Sequence, residues 1–175
     1  MSRSLGFMMR ATAVGCAVLS AGALAQPDTP RDVVPEAMPF NTPYGEPISL
    51  AKADELLAAA LAEAKRRGWA LNVAVVDSGG NLVAFKRMDG AQLASIRIAE
   101  HKARAAVEFR RETKVFESAV QEGNNPYVMT LDGIIASRGG IPLVQAGKII
   151  GAVGCSGGTG SQDEAVCKAG AASLR

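Results

Sequence analysis

The chain has 175 residues, with 19 Lys+Arg against 17 Asp+Glu, one histidine and three cysteines. Arg3 and Arg10 precede the apolar run 11–19, and Ala23-Leu24-Ala25 forms an A-x-A site before Gln26, which predicts a cleaved export signal over residues 1–25. The 150 residues that follow carry 17 charges of each sign, so no net basicity points to nucleic acid or anionic membrane, and one histidine without C-x-x-C argues against a protein-only structural zinc site.

The apolar run is too short for a membrane span, and Cys16 lacks the leucine that precedes a lipid-modified cysteine. The expectation is therefore a periplasmic or secreted protein with no stable membrane span after cleavage. Residues 26–47 then hold six of the eight prolines. That density blocks helix and central strand, and predicts an extended arm. It is either a disordered leader or a segment packed on a neighbouring subunit through Phe40 and Tyr44.

The third segment, 48–175, reads as one domain. Leu50, Ala53, Leu57, Ala60, Leu61 and Ala64 recur at helical spacing over 48–67, with Ser49 as N-cap and Gly68 as the C-terminal stop. Lys65-Arg66-Arg67 complements the negative helix end. Alternating residues over 71–76, the turn Asp77-Ser78-Gly79-Gly80-Asn81 and the return 82–88 predict a hairpin.

A second helix is expected over 93–109 and another over 114–121, ended by Gly123-Asn124-Asn125-Pro126. A short strand is expected at 134–136. A second hairpin follows, 141–145 and 148–155 around Ala146-Gly147, and then a last helix. Strands joined in pairs, without β-α-β alternation, imply an α+β fold: a central antiparallel sheet of two hairpins, packed by helices.

The stretch Gly151–Gly170 holds Gly154-Cys155-Ser156-Gly157-Gly158, which satisfies G-x-S-x-G. The only histidine, His101, precedes the serine, and just 19 residues follow it, so no Ser–acid–His order is available. Ser161-Gln162-Asp163-Glu164 reads as a capping box with Ser161 as N-cap, and its carboxylates disfavour a phosphate. Gly157, Gly158 and Gly160 then serve the turn. Gly151 and Gly154 predict a close approach by a ligand or another backbone, on a flat surface suited to a planar ligand or to subunit packing. The residues leave open whether Cys155 and Cys167 pair.

On the second helix, Ile96, Ala99, Ala103 and Ala106 share a core face, and Arg97, His101, Arg104 and Glu108 the opposite one. His101 is thus either an ordinary solvated residue or a ligand for haem iron or another metal. Met88, Tyr127, Met129 and Cys155 are other conceivable axial ligands.

Five blocks carry a resemblance: Val75–Leu82, Met88-Asp89-Gly90-Ala91, Lys102-Ala103, Gly139-Gly140-Ile141-Pro142, and Gly151–Gly158 with Gln162-Asp163. In order and separation they resemble the GlcG/HbpS family, the haem-binding or "haem-degrading" domain also found fused to PduO-type cobalamin adenosyltransferases. The resemblance implies an α+β fold, a homo-oligomer, and haem as cofactor. His101, Lys102, Gly157 and Gly158 become candidate cofactor-binding residues, with His101 the candidate axial ligand. The function expected is an exported haem-binding protein in haem or iron handling or redox sensing. It is expected to act without assigned catalysis. Cys155 departs from the family, in which similar sequences carry valine. Two other expectations stand beside it: an enzyme or binding protein for a small organic acid or aromatic metabolite, using Asp77, Lys102 or Asp163, and a structural or sensor oligomer without cofactor.

Overall fold

The computed structural model describes residues 36–174; the export signal and the first part of the proline arm lie outside the described residues. Helix α1 (Leu50–Arg67) is followed by strands β1 (Asn72–Asp77) and β2 (Leu82–Arg87), and then by helices α2 (Ala94–Glu108) and α3 (Lys114–Gln121). A 3-10 turn at Pro126–Thr130 leads to β3 (Gly140–Gln145), β4 (Lys148–Ser156) and helix α4 (Gly160–Ala171). The sheet is antiparallel in the order β2-β1-β4-β3, the expected α+β arrangement of two hairpins and packing helices.

Both faces of this sheet are covered, which is why β1 and β4 read as nearly continuous apolar runs. Leu56, Leu57, Ala60 and Ala64 of α1 and Val166 and Cys167 of α4 meet Val73, Val75, Val153 and Cys155 on one face. Ala99, Ala103, Ala106 and Val107 of α2 meet Ala74, Val76, Ile149 and Ala152 on the other. The small residues of α2 and Gly154 of β4 let helix and sheet approach backbone to backbone.

Local chemistry places the element ends. The Ser49 hydroxyl accepts from the Lys52 amide at 3.4 Å, and Gly68 closes α1 at φ 70°. Ala146 and Gly147 both adopt positive φ, the geometry a two-residue hairpin turn requires. In the first hairpin, Asp77 Oδ1 accepts from the amides of Gly79 (2.8 Å) and Asn81 (2.9 Å).

Two expectations change. The 134–136 segment forms no strand: Gly133, at φ 80°, turns the chain and Ile134 only buries its side chain. The C-terminal part of the proline arm docks on its own chain. The Gly45 amide donates to Ile149 O and the Ile149 amide to Pro43 O, each at 2.8 Å, beside β4. The Tyr44 hydroxyl reaches the carbonyls of Val107 and Glu108 at 3.0 Å, and the Arg111 guanidinium stacks on Phe40. The two aromatic anchors are therefore used within the chain.

Candidate functional site

The glycine turn after β4 is built around an ion pair. Lys102, from α2, is 1% exposed, and its Nζ donates to Asp163 Oδ2 at 2.8 Å and to the Cys155 carbonyl at 3.2 Å. Asp163 Oδ1 accepts from the Gly158 amide at 3.0 Å. The Cys155 amide donates to Gly139 O at 2.9 Å, which joins the turn before β3 to the turn after β4. Burial pushes the Asp163 carboxyl up, against the opposing pull of Lys102 and the Gly158 and Gly157 amides.

This arrangement explains why the turn looks like a phosphate cradle and is not one. Its amides already hold an anion, the protein's own Asp163. The capping box is also displaced from its expected place. Thr159, not Ser161, caps α4: its hydroxyl accepts from the Gln162 amide at 3.3 Å, and Gln162 Oε1 accepts from the Thr159 amide at 2.8 Å. The T-x-x-Q pair satisfies the same reciprocal bonding as S-x-x-E. Shifting the cap back frees Asp163 to turn inward and Glu164 to meet Lys168 at 2.7 Å.

Cys155 and Cys167 form a disulfide, with Cα atoms 5.7 Å apart. Asp163 and Cys167 stand four residues apart on α4, so both project toward β4. Helix α4 is thus held covalently to the end of β4 and by an ion pair to Lys102 of α2. Cys155 is fully buried in this bridge and is not available as an iron ligand.

The expected flat glycine surface is covered. A Cβ built at Gly154 would lie 2.1 Å from Ala99 O and 2.6 Å from the Ala103 amide, and one at Gly140 would lie 2.3 Å from Lys102 O. The backbone of α2 occupies the space where a planar ligand was expected. Gly157, at φ 152°, has Ala70 O 2.6 Å from the position of a Cβ, so the chain itself fills that side too.

His101 is the candidate that faces outward. Its Nε2 lies 3.1 Å from Gly133 O. A carbonyl only accepts, so in neutral imidazole Nε2 carries the proton and Nδ1 keeps the lone pair. This is the usual way a ligating histidine is oriented, with one ring N–H on a backbone carbonyl and the other nitrogen left for iron. Arg97 and Arg104 lie one turn to either side, and Arg104 also reaches Glu100 at 3.2 Å. Haem needs a nitrogen for its iron and cations for its propionates, and these are the residue types that this face of α2 carries. Lys102 lies on the same helix but faces inward, and the amide of Gly158 is committed to Asp163. Neither joins His101. Among the described residues no group of three or more His, Cys, Asp or Glu is placed to hold a metal ion.

Lys102 and Asp163 meet, but Asp77 sits apart in the first hairpin turn. Sequence reasoning missed that Lys102 falls at core spacing, three residues after Ala99 and four before Ala106. It also missed Glu117, whose carboxylate takes the Arg138 amide at 2.7 Å and Nε at 2.6 Å, fastening α3 to the turn before β3.

Residues 48–172 match the family model described as "Haem degrading protein HbpS-like". The chain belongs to this family. Protein GlcG of Escherichia coli K12 is 43% identical over 109 residues, covering 62% of this chain and 81% of GlcG. A crystal structure of Streptomyces reticuli HbpS, a double mutant, superposes with a TM-score of 0.69 at 28% identity, covering 83% of this chain and 99% of that one. The crystal structure of a PduOC–heme complex gives 0.67 at 27% identity, over 74% and 96% of the two chains. These family members share the α+β fold described above.

Proposed function

We propose that this chain is an exported haem-binding protein. The observation that carries the reading is the likeness to PduOC, a family member crystallised with heme, together with the family match over 48–172. His101, held by Gly133 O, would offer its free ring nitrogen to the iron, and Arg97 and Arg104 would meet the propionates. Bound haem brings an iron centre able to take a further ligand or change oxidation state. The protein's residues orient the ring and fix its charge.

Export is supported by the tripartite signal and by the Cys155–Cys167 bridge, a bond that persists in oxidising compartments. No helix among the described residues is long and apolar enough to cross a membrane. Self-association is proposed from Leu93, Tyr127 and Met129, large apolar side chains left more than half exposed. Haem handling or redox sensing outside the cytoplasm is the role this reading gives it. Titration with hemin tests the binding. A saturable shift of the Soret band is expected, and its absence overturns the proposal.

A further inference from the structure

A concave site lies on the opposite face of the sheet from His101. Helix α1 crosses the sheet beside β2, an edge strand that pairs only with β1. Between them is a groove of about 340 Å³ lined by Leu61, Lys65, Lys86, Arg87, Met88 and Asp89. That volume lies near the lower end of the roughly 300–1,000 Å³ typical of small-molecule sites.

Its floor is apolar and its rim cationic. Leu61 and Met88 are partly buried and pack against the α1-side core. Lys86 is opposite Val73 in the β1–β2 register, and Val73 belongs to that same core, so Lys86 stands on the face that α1 covers. Lys65 comes from the last turn of α1. Arg87 completes the wall, and Asp89 is the single carboxylate.

The neighbouring cations are already used. Arg66 and Arg67 both pair with Glu63, and Arg67 also covers the Trp69 ring. Among the described residues, no ion pair engages Lys65, Lys86 or Arg87. The groove therefore sets uncompensated ammonium groups beside a thioether and a leucine, which is the complement of an amphipathic anion.

We propose that this groove binds a small organic carboxylate with an apolar body, at a site separate from the His101 face. The carboxylate sits between Lys65 and Lys86, and the hydrocarbon part lies on Leu61 and Met88. The charge-assisted bonds give sign selectivity, and the floor rejects ions that have no apolar part.

Octanoate is the probe. The protein is labelled with ¹³C-methyl methionine, and the Met88 resonance is assigned through Met88→Leu. Octanoate is expected to shift that resonance saturably. Lys65→Gln/Lys86→Gln, at two exposed positions, should weaken binding about tenfold or more, the scale of one lost charge-assisted contact. Octylammonium and inorganic phosphate should bind far more weakly, and hemin affinity should stay unchanged in the double variant. The proposal is overturned if octanoate gives no saturable shift, if the double variant binds it equally well, or if octylammonium or phosphate matches it. A parallel loss of hemin binding would overturn the separateness of the two sites.

Discussion

Lys102 Nζ and Asp163 Oδ2 are 2.8 Å apart, and both side chains are almost wholly out of contact with solvent. Sixty-one residues separate them in sequence. The pair joins α2 to α4 across the end of β4 and fixes the glycine turn that follows it. Removing one partner leaves the other charge buried and uncompensated. Lys102→Met is therefore expected to cost about 3–5 kcal/mol in urea unfolding. Lys102→Met/Asp163→Leu should recover much of that loss. A single variant as stable as wild type would show that the pair does not hold this turn.

Gly154 faces the backbone of α2 at the point of closest approach. A methyl group there would sit 2.1 Å from Ala99 O, and neither partner is a flexible side chain. Gly154→Ala should destabilise by about 1–3 kcal/mol or more, as overpacking does, lowering the thermal midpoint. Gly68→Ala provides the contrast. Nothing lies within 4 Å of its Cβ position, so its cost should reflect only the positive φ.

The disulfide closes a short loop of 12 residues between β4 and α4. Chain-entropy arguments give such a link about 3 kcal/mol. Cys167→Ser should lose about that much in denaturant unfolding, and adding reductant to the variant should change nothing more. Export adds a second readout. Cys16 is the only cysteine outside the bridge, so cleaved protein unfolded without reductant should titrate no thiol. Its mass should begin at Gln26.

Glu117 sets an acid limit on stability. Burial pushes its carboxyl up, but hydrogen bonds from the Arg138 side chain and amide outweigh that, and the net shift is below the ordinary value of 4.5. On acidification the unfolded chain takes up this proton before the folded one does. The contribution is thus complete above pH 4.5 and is lost as pH falls through the lower folded value. Arg138→Gln should flatten that part of the stability–pH curve, and an unchanged acid limb would contradict the assignment.

Much of the fold was legible because the apolar periodicity switches between helix and strand at glycine-rich punctuation. The ends of α1, the stop after α3 and the Ala146-Gly147 turn follow from caps and turn residues alone. The candidate site was less legible, since its features depend on contacts distant in sequence. Lys102 lies at core spacing on α2, but only the fold brings Asp163 to it. Thr159 and Ser161 both begin acceptable boxes, and tertiary demand for Asp163 decides between them. Gly154 signalled a close approach, but only the packing of α2 shows that the approaching group is backbone.

The most direct test of the central claim is equilibrium titration of residues 26–175 with hemin, read at the Soret band. Saturable binding is predicted, with His101→Ala shifting the band and weakening affinity while the far-UV circular dichroism stays unchanged. A Soret band that never departs from that of free hemin would contradict the account.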